Sequence, residues 1–134
     1  MNEIRKQPDL SADGRTAEPL ESPMLSFDLN TEIEKLRGKD AGQRGQTSKT
    51  LVKYSDFRVV LTVMNAGARM EDHKTAGSIS VQTVAGQIRM RMQDKVFELP
   101  TGHLLALDRG VVHDVEAVED SAFLLTIVWH EVQR

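Results

Sequence analysis

Short stretches of alternating apolar and polar residues, separated by turn residues, fill most of this 134-residue chain after residue 50. Alternation with a period of two puts successive side chains on opposite faces of a β-strand. No long amphipathic helical pattern interrupts the series. Many short strands at this spacing predict an all-β antiparallel sandwich or barrel. The predicted strands are residues 50–53, 57–64, 78–84, 87–92, 96–99, 104–107, 111–117 and 123–129.

The same alternation predicts which side chains face the interior. Three interior sets are Ile79, Val81 and Thr83, then Ile88, Met90 and Met92, then His113, Val115 and Ala117. Arg89 and Arg91 fall on the opposite face, where we expect solvent. In the last strand both faces are apolar. That strand is therefore predicted either to be buried on both faces within the domain or to pack the face of Leu124, Thr126 and Val128 against a partner subunit.

Residues 1–23 differ in composition from the rest of the chain. They hold three of the four prolines, and their apolar residues follow neither the strand nor the helix period. Such a segment buries too little surface to offset its ordering entropy. We predict a flexible N-terminal arm over 1–23, followed by one barrel domain over 24–134. At the start of that domain, residues 25–29 alternate and predict a strand. We expect Asn30 or Thr31 to cap a helical turn that runs through Lys35. Residues 38–49 are predicted to form a polar loop.

Composition excludes several classes of function. Seventeen Lys and Arg against twenty Asp and Glu give a net charge of −3, which argues against a nucleic-acid partner. The chain has no cysteine, so disulfides, thiolate metal sites and thiol nucleophiles are impossible. No apolar run is long enough to span a bilayer, and the first ten residues lack the apolar core of a secretory signal. We expect a soluble cytoplasmic protein with no membrane partner.

Two segments resemble the sequence motifs of the cupins. Residues 67–86 read GARMEDHKTAGSISVQTVAG and are similar to the first motif, G-x5-H-x-H-x3,4-E-x6-G. Its glycines and first histidine match Gly67, Gly86 and His73, whereas Thr75 stands at the second histidine and Ile79 at the glutamate.

The second motif, G-x5-P-x-G-x2-H-x3-N, resembles residues 102–117. Both of its glycines and its histidine, His113, match. Asp108 stands at the proline and Ala117 at the asparagine. Together the two segments identify the chain as similar to the small single-domain bacterial cupins of the RmlC-like jelly-roll superfamily. The resemblance implies a double-stranded β-helix, or jelly-roll barrel, that usually forms a homodimer.

The resemblance also implies a metal site with four ligands, and this sequence has a matching residue at two of the four positions. A typical cupin holds Fe, Mn, Ni or Zn with three histidines and a glutamate. His73 and His113 stand at two of these positions, but a threonine hydroxyl is a poor ligand and isoleucine has no donor atom. We therefore expect no cofactor, apart from a divalent transition metal (Fe, Mn, Ni or Zn) weakly bound by His73 and His113.

The leading functional hypothesis is a binding module for a small polar or organic molecule. In this hypothesis His73, Thr75 and His113 line the mouth of the barrel, where ligand sites are common. The predicted wall of the site is formed by Ile79, Val81, Met90 and Met92. The hypothesis rests on two observations. The strand pattern of the barrel is present, but two of the four metal-ligand positions of the motifs hold residues that are not ligands.

Two alternatives belong to other classes. One is a cupin enzyme that uses His73 and His113, either as a metal-dependent dioxygenase or isomerase or as a metal-free enzyme resembling the sugar-nucleotide epimerases. The epimerases need a partner acid, typically a tyrosine, and the single tyrosine, Tyr54, precedes the first core strand. The other alternative is a structural or regulatory role through dimerisation. The sequence favours the binding module over both.

Overall fold

The computed structural model describes residues 23–39 and 44–129. Most of the predicted N-terminal arm and His130 lie outside the described residues. The described chain contains one helix and nine strands: α1 (Leu29–Arg37), β1 (Gln46–Lys53), β2 (Phe57–Met64), β3 (Arg69–His73), β4 (Ser78–Ala85), β5 (Gln87–Met92), β6 (Lys95–Pro100), β7 (Leu104–Leu107), β8 (His113–Ala117) and β9 (Ser121–Val128). Within these ranges, no helix has the length and apolar character needed to cross a membrane.

The strands form two antiparallel sheets that pack face to face. One sheet has the order β1-β2-β9-β4-β7 and the other the order β3-β8-β5-β6. Consecutive strands repeatedly cross from one sheet to the other, as in a jelly roll. The predicted all-β jelly-roll barrel is confirmed.

The main apolar core lies between the two sheets. Its centre is fully buried at Ile88 and Met90 of β5, and the predicted interior faces of β4, β5, β8 and β9 supply most of the rest. Close packing of these side chains is the dominant stabilising contribution in a domain of this kind. The core cluster comprises Met64, Ile79, Val81, Ile88, Met90, Met92, Leu99, Val115, Ala117, Phe123 and Ile127.

A second, smaller core lies between α1 and the outer face of the five-stranded sheet. Ile33 and Leu36 of the helix are buried there against β1, β2 and β9. Leu124 of β9 packs against this cluster. One position on the second apolar face of β9 is therefore covered within the chain, as the first of the two sequence alternatives expected. The homodimer stays a prediction.

The N-terminal part of the domain differs from the sequence prediction. Residues 25–28 form no strand, and Leu29 begins α1. The cap is Asp28, whose carboxylate accepts hydrogen bonds from the backbone N–H groups of Asn30 and Thr31. The prediction of a strand over 25–29 is wrong because this cap satisfies the first free N–H groups of the helix, and its Ile33 and Leu36 find a sheet to cover.

The observed strands before and after β2 also differ from the predicted ones. The predicted polar loop 38–49 ends earlier than expected, since β1 begins at Gln46 and pairs with β2 as far as Met64. Strand β3 was not predicted, because its sequence RMEDH shows no apolar alternation. Pairing with β8 holds these residues in a strand, which tertiary context can impose on a sequence of low strand propensity.

The connections between strands define two ends of the barrel. The β3–β4 connection (residues 74–77) and the β7–β8 connection (residues 108–112) join the sheets at one end, which we call the barrel mouth. The β2–β3, β4–β5 and β8–β9 connections lie at the opposite end. The mouth therefore collects the start of β2, β4 and β8 and the end of β1, β3 and β9.

We expect Gly86→Ala to destabilise the protein by about 3 kcal/mol or more, because Gly86 has φ +78 and an added Cβ would overlap the Asp120 carbonyl oxygen and lie 2.5 Å from Ser121 Oγ. Gly67→Ala is the matched control: Gly67 has a similar φ of +86, but a Cβ there meets no atom within 4 Å. Its expected cost is about 1 kcal/mol. Urea denaturation measures both, and equal losses would contradict the close packing at Gly86.

Candidate functional site

The two histidines of the cupin-like motifs lie side by side at the barrel mouth. His73 ends β3, His113 begins β8, and the two are direct partners in the antiparallel pair. Directly opposed residues project from the same face of a sheet. That face is the interior one, because the next partners along the pair are Met70 and the buried Val115. The sequence prediction that His73 and His113 face one another at the mouth agrees with this register.

The two imidazoles differ in their surroundings. His113 is 8% exposed, whereas His73 lies at the surface. Nδ1 of His113 lies 2.9 Å from the backbone carbonyl oxygen of Val111. Because a carbonyl oxygen can only accept, Nδ1 must carry the proton and donate. In the neutral ring this fixes Nε2 as the atom with a free lone pair.

Thr75 uses its hydroxyl in the connection between β3 and β4. Its Oγ1 donates to the carbonyl oxygen of Gly77 at 2.8 Å. Its own carbonyl oxygen accepts from the N–H of Gly110, at 3.0 Å, in the connection between β7 and β8. These bonds tie together the two connections that form the mouth.

The four residues predicted to form the wall of the site lie deeper. Ile79 is 5% exposed and Met90 is fully buried, and Val81 and Met92 belong to the same core cluster. They form the apolar floor beneath the mouth. Contact between them and a ligand stays a prediction.

The residues present do not fit the metal site that the motifs imply. Among the side chains that the structure describes, which do not include that of Asp72, no three His, Cys, Asp or Glu come together in a way that could hold a metal ion. The Thr75 hydroxyl is engaged with Gly77, and the Ile79 side chain is packed in the core. Two imidazoles are fewer ligands than the three or four that protein metal sites usually supply.

Sequence reasoning did not identify Arg58 and Trp129 as residues of the mouth. Arg58 is the direct partner of Ile127 in the β2–β9 pair, so its side chain starts from the core face. Its guanidinium carbon lies over the Trp129 ring, 5.1 Å from the ring centroid, at the distance of a cation–π contact. The alternation of β2, in which Arg58 shares a face with Val60 and Thr62, carried the signal that could have found it.

A network of ion pairs covers the outer face of the four-stranded sheet. Arg89 Nε lies 2.6 Å from Glu98, and Arg91 Nη1 lies 2.9 Å from Glu116. A hydrogen bond from Arg91 lowers the pKa of Glu116, and one from Arg89 lowers the pKa of Glu98. The predicted outward orientation of Arg89 and Arg91 is correct, but both arginines are engaged in these pairs.

Arg69 extends this network to the mouth. Its Nη2 donates to Asp114 at 2.8 Å, and Asp114 is 7% exposed. Asp114 follows His113 in β8, and Arg69 lies in β3, the strand that ends in His73. The ion pair therefore joins the two strands that carry the histidines.

Comparison with solved structures establishes the fold. The chain has the fold of the cupins, as the sequence motifs indicated. A cupin superfamily protein from Desulfitobacterium hafniense superposes with a TM-score of 0.68 at 14% identity, over 95% of this chain and 100% of that chain. A conserved protein of unknown function from Streptococcus pyogenes gives a TM-score of 0.66 at 22% identity, over 84% and 93% of the two chains.

Enzymes share this fold. Salicylate 1,2-dioxygenase from Pseudoaminobacter salicylatoxidans, as a G106A mutant, has a TM-score of 0.62 at 18% identity, covering 73% of this chain and 31% of that chain. No protein-family model and no curated protein matches the sequence. At these identities the similarity establishes the fold, while the function must be argued from the mouth itself.

We expect the melting temperature to fall as the pH drops below about 4.5, the ordinary pKa of a glutamate. A carboxyl whose pKa is lowered in the folded state contributes stability above its unfolded pKa, and this stability is lost as the pH falls through the folded pKa. Glu116→Gln should reduce the size of that fall, and Glu34→Gln, at an exposed position of α1, should leave it unchanged. Thermal melts from pH 7 to pH 3 measure it; equal falls in both variants would contradict the contribution of the network.

The motif alignment predicts that Thr75→His combined with Ile79→Glu restores a metal site. The double variant then has three histidines and one carboxylate at the four motif positions. We expect Ni²⁺ or Zn²⁺ to raise its melting temperature and to co-elute with it in gel filtration, as measured by plasma mass spectrometry. Thr75→His with Ile79→Gln, which lacks the carboxylate, is the control and should bind metal more weakly. A folded double variant that retains no metal would mean that the motif register is wrong.

Proposed function

We propose that this protein binds a small polar or organic molecule at the mouth of its cupin barrel, in contact with His73 and His113. The observation that carries the proposal is the hydrogen bond from Nδ1 of His113 to the Val111 carbonyl oxygen. This bond holds the ring in one orientation and, in the neutral ring, leaves Nε2 as the atom that can accept a hydrogen bond from a ligand. An oriented polar group above an apolar floor is the usual composition of a small-molecule site.

Two features favour binding over metal-dependent catalysis. Ile79, at the position of the glutamate ligand, is a core residue whose methyl groups cannot donate to a cation. The Thr75 hydroxyl already donates to a backbone carbonyl oxygen. Two of the four motif positions therefore contribute to the fold rather than to a ligand set.

A metal-free enzyme is the second candidate function. An imidazole anchored at Nδ1, with Nε2 open, has the arrangement of a general base. The epimerase-like mechanism also needs a partner acid. The Tyr54 ring stacks on Phe57 at a centroid distance of 6.2 Å, and Phe57 belongs to the outer face of β2, opposite to that of Arg58. This favours the binding module over the epimerase-like alternative.

We expect His73→Ala and His113→Ala to weaken binding about tenfold or more, because each removes a hydrogen-bonding group at the mouth. The measurement is a screen of polar fragments by ligand-observed NMR, followed by affinity titration of the fragments that bind wild type. His103→Ala is the matched control, since His103 is exposed in the β6–β7 turn at the opposite end of the barrel and should leave binding unchanged.

Stability separates a binding role from a structural role. Urea denaturation of His73→Ala and His113→Ala should give free energies of unfolding within about 1 kcal/mol of wild type. A loss above about 3 kcal/mol in either variant would assign that histidine to the fold. Fragments that bind all three variants with wild-type affinity would contradict a ligand site at the histidines.

A further inference from the structure

We infer that two copies of this chain form a dimer through the outer face of strands β4, β7 and β9. The inference concerns a surface away from the barrel mouth and does not depend on the ligand proposed there. It follows from the different distribution of charge on the outer faces of the two sheets. We call the surface the uncharged face and define it by Ser80, Gln82, Leu104, Ala106, Thr126 and Val128.

The outer face of the four-stranded sheet carries many charges. The strand register places Arg89 opposite Glu98 and Glu116 on this face, and it places Arg91 opposite Asp114. Ion pairs join Arg89 to Glu98 and Arg91 to Glu116. A sheet face covered by charged side chains is well solvated, so it needs no protein partner.

The outer face of the five-stranded sheet is uncharged beyond β1. Strands β2, β4, β7 and β9 are described over their whole length, and none of the residues that their register places on this face is charged. Lys49 of β1 lies on the same face and makes an ion pair with Glu32 of α1 at 2.8 Å. Because 28% of the chain is charged, an uncharged sheet face indicates a surface that contacts protein rather than water.

Helix α1 covers one part of this sheet and leaves another part open. Leu124 of β9 packs against the cluster beneath the helix. The apolar residues of the uncharged face, Leu104, Ala106 and Val128, do not belong to that cluster. Leu104 is 62% exposed, the highest value for a large apolar residue in the strands that the structure describes. A partner seated on this face would remove the Leu104 side chain from water.

Small side chains make the uncharged face flat. Ser80 of β4 lies between Ala106 of β7 and Thr126 of β9 in the strand register, so three small side chains form one row across the sheet. Gln82 and Leu104 form the next row. Flat sheet faces can pack on each other at about 10 Å. The hydroxyl and amide groups in these rows can form hydrogen bonds across such an interface.

The absence of charge favours a second copy of the chain as the partner. In a two-fold dimer the same surface meets itself, so a net charge on that surface would meet a charge of its own sign. The uncharged face avoids this repulsion. Residues 1–22 are a less suitable occupant, because eight of them are charged and the uncharged face offers them no counter-charge.

The first test is sedimentation velocity of the full chain between about 5 and 500 μM. The uncharged face is three strands wide, which is small for a stable interface. We therefore expect a reversible dimer with a dissociation constant of about 1 to 100 μM. A protein that stays monomeric at about 500 μM would overturn the inference, and residues 1–22 or a different protein would then be the candidates for covering the face.

Lysine substitutions at two exposed apolar residues assign the dimer to one face. Leu104→Lys would place like charges in the interface, so it should weaken dimerisation about tenfold or more. Val96→Lys is the matched control and should leave dimerisation unchanged. Val96 is 52% exposed in the edge strand β6, where it lies opposite Arg91 on the outer face of the other sheet. Circular dichroism checks that both variants fold. A dimer that is lost in Val96→Lys and kept in Leu104→Lys would overturn the inference.

If Leu104→Lys does not fold, wild type decides the question by NMR. Dilution from about 500 to 50 μM should shift the backbone amide signals of Ser80 and Thr126, because the dimer dissociates. The amide signals of Arg91 and Glu116, on the outer face of the four-stranded sheet, should stay in place. Shifts confined to the four-stranded sheet would overturn the inference.

Discussion

Packing of the two sheets around a continuous apolar interior is the constraint on which the rest of this structure depends. Ile88 and Met90 are fully buried at its centre, and residues from nearly every strand fill the space around them. An unpaired polar group placed there would lose its hydration without compensation. Polar chemistry is therefore confined to the ends of the strands. At the mouth the interior face is polar where β3 ends in His73, β8 begins with His113 and β2 has Arg58 as its second residue.

The same constraint explains the degraded metal motif. A glutamate at position 79 would lie beside Leu107 and Ile127, the strand partners of Ile79, and would need a cation to be stable there. Isoleucine at this position needs none, and it adds apolar contacts to the core. Thr75 likewise serves the backbone of the mouth through Gly77. Both residues therefore contribute to the stability of the fold.

Features that depend on residues close together in the sequence could be predicted, whereas features that depend on contacts between distant residues could not. Alternation in β4, β5 and β8 correctly predicted the interior faces, because successive side chains of a strand point to opposite faces of the sheet. The two histidines matched to the cupin-like motifs, His73 and His113, are direct partners in the β3–β8 pair, while their role as a site stays a prediction. Strand β3 was missed because its pairing with β8 decides it, and the predicted helical turn through Lys35 was present but its cap was misassigned, since Asp28 caps α1. Arg58 was missed because a charged residue in an apolar strand is read as solvent-facing, and its contact with Trp129 joins residues far apart in sequence.

The ion pair between Arg69 and Asp114 stabilises the mouth of the barrel without a metal-ligand contact. In a complete site the metal ties together histidines from separate strands, and their positions depend on it. Here Arg69 and Asp114 join β3 to β8 at 2.8 Å, one residue from His113. The pair lies on the outer face, next to the irregular pairing that separates Met70 from His73. Asp114 is buried but the Arg69 side chain is 46% exposed, so water screens this ion pair in part. The ion pair therefore helps to hold together, from the outer face of the sheet, the two strands that carry His73 and His113.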